Sequence, residues 1–215
     1  MLYAEFIVLV KLWGRYVYHE PLFQEYGLRQ PRQNLRNFLQ GLAIGLGSLL
    51  LMFALQGSLG WVTWHFPSSR FPRILLEGGV MAISLCFVEE LLFRGWLLNE
   101  LERDYSPRVS RWVSSLIFAL VHGLRLQLFA QVIIGLILVW SKRATQGRMG
   151  LAIGFHAGLV WGYYLVSVGQ LMTYSQRVPA WITGIDQNPL AGIVGIVALS
   201  TIALWMRSTA LKAMN

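Results

Sequence analysis

The sequence predicts an all-α fold: a polytopic transmembrane bundle of about six spans, preceded by an N-terminal interfacial or partial helix. Three observations lead there. Of 215 residues, 55% are hydrophobic and 13% are charged, against about 25% charged in an ordinary soluble domain. Apolar runs recur along the chain, separated by short polar stretches, and the mean hydropathy is +0.52. Lysine and arginine collect at the ends of those runs, which is how orientation in a bilayer is encoded.

The segment Met1–Trp13 is apolar but too short to span alone. It contains Glu5 and Lys11 and lacks a basic leading region, so it reads as an interfacial helix or the remainder of a longer span rather than a cleaved signal. The apolar runs then follow at Phe38–Trp61, Ile74–Leu98, Val109–His122, Leu126–Trp140, Met149–Val168 and Leu190–Met206. The third and fourth are short for a hydrocarbon core about 30 Å thick, which implies tilting, a kink at Gly123, or an end inside the protein. The chain divides into an N-terminal interfacial and cytoplasmic segment at 1–37, a bundle at 38–206 and a short tail at 207–215.

Basic residues test this division. With the N-terminus in the cytoplasm, thirteen lysines and arginines fall inside, and only Arg70, Arg73, Arg125 and Arg177 fall outside. Arg94 lies within a run. The asymmetry favours six spans with both termini cytoplasmic, in a cell inner membrane or a thylakoid-type membrane. The net charge of +8 is dispersed over the run ends and forms no single patch, so nucleic acid is not an expected partner. Membrane lipids are. The one cysteine, Cys86, excludes an internal disulfide and reads as a small buried hydrophobe.

Gly150, Gly154, Gly158 and Gly162 recur every four residues, a stripe that lets another helix approach closely in lipid. His156 lies about 200° round the helix from its neighbouring glycines and so faces elsewhere.

Glu89-Glu90-Leu-Leu-Phe-Arg94 puts two carboxylates and a guanidinium inside an apolar run. Each charge costs roughly 2.5–3.5 kcal/mol at a helix centre on insertion scales. Glu90 and Arg94 are spaced i, i+4 and can pair on one face. Glu89 sits about 100° away, cannot share that geometry equally, and is left available as a general base for water. His122 closes Phe118-Ala-Leu-Val-His122, and His156 sits in Gly154-Phe-His-Ala-Gly158. His19 and His65 lie near run ends and read as bystanders. At 1.5 Å per residue, Glu89, His156 and His122 are about 14, 10 and 20 Å from their cytoplasmic helix ends, depths compatible with a common site. One carboxylate and two histidines can hold zinc or perform acid–base chemistry without it. No His-Glu-x-x-His helix, Gly-x-Ser-x-Gly elbow or nucleotide-binding glycine loop is present.

Together these residues resemble the CPBP family of intramembrane endopeptidases (CAAX proteases and bacteriocin-processing enzymes, also called Abi). That family's pattern is Glu-Glu-x-x-x-Arg, then Phe-x-x-x-His, then His-x-x-x-Asn. The first two are complete in this chain; in the third His156 matches, and Val160 stands where the best-known members have asparagine. The resemblance covers 80–168, and the stretches Pro179–Asp186 and Asn188–Gly192 look like cyanobacterial or plastid members. It implies a helical bundle with a cavity reached from the cytoplasmic side. In it Glu89 would activate water, Glu90 and Arg94 would fix local structure, His122 would orient water, bind metal or transfer a proton, and His156 would stabilise the oxyanion. Substrates would be membrane-associated peptides, prenylated or otherwise. Tyr163, Gln127 or a backbone N–H would have to replace the missing asparagine. A non-catalytic adaptor or immunity-type protein on the same fold is the alternative, motivated by Val160. An ion or solute transporter ranks below both, since no repeated halves are visible.

Overall fold

Gly150–Val168, the fifth apolar run, becomes the helix around which the others pack. In the computed structural model, which describes residues 2–123, 127–185 and 188–214, the order is α1 (Leu2–Trp13), α2 (Pro31–Ser58), β1 (Val62–Trp64), α3 (Phe71–Glu90), α4 (Leu98–Asp104), α5 (Pro107–Val121), α6 (Leu128–Ala144), α7 (Gly150–Val168), β2 (Met172–Tyr174), α8 (Ala180–Thr183) and α9 (Ile193–Met214). Arg125, Leu126 and Asp186, invoked above, lie outside the described residues.

The sequence places helix starts well. Proline opens α2, α3 and α5 within the first turn, where its missing N–H costs nothing. Ser106 accepts the Val109 N–H and caps α5. Gly123 ends that helix region with φ +111, a conformation glycine adopts without strain.

All six apolar runs form helices, with α1 preceding them. Fewer of these helices than the six expected spans meet the length and hydropathy of a straight crossing. Among the described residues, α2, α7 and α9 are each long and apolar enough to cross a membrane. α5 and α6, with 15 and 17 residues, fall short of the roughly 20 a straight crossing needs. α3 carries Glu77, Glu89 and Glu90. Residues 207–214 are helical and continue α9 to Met214.

The glycine stripe does what its spacing predicts. α2 lies along α7, and Cβ atoms on Gly150, Gly154 and Gly158 would collide with the carbonyls of Asn34, Phe38 and Leu42. Asn34 pins the start of this pair, its Oδ1 accepting the Gly150 N–H at 2.8 Å. On other sides α7 meets α3 and α6; α6 in turn packs on α5 and α9. A core of Leu49, Phe53, Phe118, Ile137, Leu138, Phe155 and Leu199 fills the space between them. The two short strands form one antiparallel ribbon, with Thr63 opposite Thr173, beyond the ends of α2 and α7. Cys86 is fully buried.

Candidate active site

Glu89 and Glu90 are the last two residues of α3 before its geometry changes. The chain continues as a π-helical segment, Leu91–Leu97, and then re-enters α-helix as α4. A π turn redirects side chains and leaves carbonyls with altered partners, and such segments are frequent at functional sites. Here those carbonyls are satisfied from neighbouring helices. Ser114 Oγ donates to the Phe93 carbonyl at 3.2 Å, and Lys142 Nζ donates to the Arg94 carbonyl at 2.6 Å.

Glu90 and Arg94 pair as their spacing predicts, at 2.9 Å, with both side chains fully buried. Arg94 also donates from Nη2 to the Gly135 carbonyl at 3.2 Å. Glu90 has a second partner that helical spacing could not reveal: its Oε1 lies 3.0 Å from Nδ1 of His156. Nδ1 must carry the proton in that contact, because a carboxylate only accepts. Nε2 of His156 is thereby turned toward Glu89, 3.7 Å from its Oε2.

His122 repeats the arrangement. Its Nδ1 lies 2.8 Å from the Phe118 carbonyl and donates to it, which leaves Nε2 3.7 Å from the same Glu89 oxygen. The Phe-x-x-x-His spacing therefore has a physical reason: one helical turn lets the carbonyl of Phe118 set the histidine tautomer. The Phe118 ring does more. It is fully buried, with the His122 ring 4.3 Å away, the edge of His156 at 5.6 Å and the Arg94 guanidinium at 4.2 Å.

Glu89 thus sits between two imidazole Nε2 atoms, the neighbour its sequence position left undefined. Ligand-capable atoms of Glu89, His122 and His156 all lie within 4.8 Å of one another. Glu89 Oε2 is buried and makes no hydrogen bond within the described residues. Each histidine has its outer nitrogen tied to an acceptor, the arrangement that orients metal-binding imidazoles. The donor set and its orientation fit a zinc ion. His122 and Glu89 are the more open members, with side chains 25% and 20% exposed, and His156 is nearly enclosed at 7%.

Residues 71–162 match the family model described as Rce1-like, type II CAAX prenyl endopeptidase Rce1-like. This segment is similar to that family. It contains Glu89, Glu90, Arg94, Phe118, His122, His156 and Val160, and the similarity together with the three apolar helices points to a membrane protein. No curated protein and no solved structure matches the chain significantly.

The remaining candidates have other surroundings. Tyr163 is seven residues beyond His156, about 10 Å along the axis, and lines a separate cavity of about 1770 Å³ beside Phe53 and Tyr174. Gln127 accepts a hydrogen bond from Asn188 at 3.1 Å. His65 bonds Thr173. Lys142 reverses its expected part: counted among the flanking charges, it is 7% exposed and reaches into the π segment, also bonding Asn99 at 2.9 Å. Its sequence signal is its place as the first of the basic pair, Lys142-Arg143, that follows the fourth run.

Proposed function

We propose that this chain is an intramembrane endopeptidase that hydrolyses peptide bonds of membrane-associated substrates of the CAAX type. The single observation that carries the reading is the convergence of Glu89 Oε2 with Nε2 of both His122 and His156, each histidine fixed from behind. Glu89 Oε2 and His122 Nε2, two acceptors facing one point, require a donor or a cation between them, and a water molecule with its two O–H groups meets that requirement.

Glu89 takes a proton from this water as its oxygen attacks the scissile carbonyl, and returns the proton to the departing amine. His122, the more open imidazole, orients the water. His156 in its imidazolium form donates from Nδ1 to Glu90 and from Nε2 to the oxyanion, the type of contact that stabilises such intermediates. Glu90 offsets the charge on that imidazolium, and Arg94 and Phe118 hold both in place. Zinc held by Glu89, His122 and His156 would supply a Lewis acid and a more acidic water. Val160 offers no donor, so the oxyanion relies on His156 and backbone N–H groups. The convergence of all three reactive side chains favours catalysis over a non-catalytic adaptor.

The test is hydrolysis of prenylated and unprenylated CAAX peptides by detergent-purified protein, with elemental analysis of the same samples. Cleavage by the wild type that persists unchanged in Glu89→Ala would overturn the assignment. Stoichiometric zinc lost in Glu89→Ala and His122→Ala marks the metal-dependent form of the mechanism; activity in metal-free protein marks the other.

A further inference from the structure

At the end of the bundle where α5 begins and α6 and α9 approach their last turns, α5 supplies two arginines and α6 and α9 supply one each. Arg108 and Arg111 are three residues apart and share a face of α5. Arg143 comes from α6 and Arg207 from α9, and these two with Arg108 are the like charges that act on Arg111. A single carboxylate bonds into the group: Glu102 accepts from Arg143 Nη2 at 2.6 Å, and the same Nη2 reaches the Pro107 carbonyl at 3.0 Å. Arg111 is held by a ring instead, its guanidinium carbon 5.6 Å from the centre of Trp140. Its Nε is buried and has no hydrogen-bond partner within the described residues.

Like charges drawn from three helices repel one another, and an orphaned donor among them lacks the acceptor it needs. A phosphate ester answers both deficits, because it brings negative charge and several acceptor oxygens to a forked guanidinium. The depth fits a headgroup. Trp112 and Trp205 flank Arg111 and Arg207 in sequence, half-exposed on the outer surface of the bundle, and tryptophan marks the headgroup level of a bilayer. We propose that Arg108, Arg111, Arg143 and Arg207 form a phosphate-ester site, filled by the headgroup of an anionic phospholipid. The catalytic reading neither requires this site nor supplies it.

Native mass spectrometry of the full chain, released from mixed phosphatidylglycerol and phosphatidylcholine vesicles, tests it. Phosphatidylglycerol should be retained preferentially. Arg108→Gln/Arg207→Gln alters exposed residues and should weaken that retention by about fivefold per arginine, roughly 25-fold together. Arg111→Gln should weaken it as well. Arg32→Gln/Arg36→Gln removes the same charge from exposed positions at the start of α2, the same end of the bundle, and should change it less than twofold. Equal losses in the two double variants, or no preference in the wild type, would overturn the proposal. Glycerol 3-phosphate added as competitor separates the sources: displacement identifies a free phosphate ester as an occupant of the same arginines, and retention assigns the lipid.

Discussion

Glu90 Oε1 lies 3.0 Å from His156 Nδ1, and this contact joins α3 to α7 inside the bundle. The same oxygen receives the Arg94 guanidinium at 2.9 Å. One buried carboxylate therefore sets the tautomer of a histidine whose other nitrogen faces Glu89. Glu90→Gln keeps the shape and removes the charge, and outer partners of this kind contribute about 10–100-fold to function. The expected result is a loss of that size in turnover of a cleaved peptide, with Glu89→Gln losing more. Equal turnover in Glu90→Gln and wild type would remove Glu90 from the site.

The buried ion pair gives a second, separable prediction. Arg94→Met leaves a carboxylate buried opposite no cation, which costs about 3–5 kcal/mol, whereas replacing both partners by apolar residues is often neutral. Detergent-solubilised Arg94→Met should lose most of its thermal stability, and Glu90→Leu/Arg94→Met should regain much of it. The double variant should remain inactive, because His156 has lost its acceptor. Melting temperatures and peptide turnover measured together check both halves.

Glycine on α7 places His156 by letting α2 approach. A Cβ on Gly154 would meet the Phe38 carbonyl, whereas a Cβ on Gly47 would meet open space. Overpacking of this sort costs about 1–3 kcal/mol, and the exposed Gly47→Ala change should be neutral or stabilising by about 0.4–1 kcal/mol. Gly154→Ala is therefore expected to lower both the melting temperature and turnover, while Gly47→Ala lowers neither.

Much of this architecture is legible in the chain because local rules decide it. Apolar run length gives the helices, the four-residue glycine period gives a close helix contact on α7 though not its partner, and i, i+4 spacing gives the Glu90–Arg94 pair. The depths of Glu89, His156 and His122 along their helices are compatible with a common site, but depth alone does not bring the three together. The relationships between helices are not local. Sequence spacing cannot show that Glu90 is shared between Arg94 and His156, since the histidine lies 66 residues away. Nor does it show the π segment, whose residues Leu91–Leu97 have no composition that separates them from ordinary helix. Lys142 illustrates the same limit: a lysine at the end of an apolar run usually faces water, and this one turns inward because the π segment exposes the Arg94 carbonyl opposite it. Crossing number is not decided by apolar runs alone, since helices such as α5 and α6 are apolar yet shorter than a straight crossing needs.

Phe118 offers the sharpest test of whether its ring serves the site or only the core. Phe53 is its control: both side chains are fully buried and belong to one hydrophobic cluster, but Phe53 comes from α2 and lines the cavity near the β-ribbon. Phe118 alone of the two carries His122 on its ring, meets the edge of His156 and lies under Arg94. Truncating a buried phenylalanine to alanine costs about 3–5 kcal/mol, and leucine, which refills part of the space, should cost less at either position. Phe118→Leu also forfeits a guanidinium–ring contact worth about 0.5–2 kcal/mol. The two variants should therefore show comparable losses in melting temperature, slightly larger for Phe118→Leu. Their turnover should diverge, with Phe118→Leu falling tenfold or more because both imidazoles gain freedom to rotate, and Phe53→Leu staying close to wild type. Equal turnover in the two variants would reduce Phe118 to a packing residue and leave its carbonyl as its one contribution to His122.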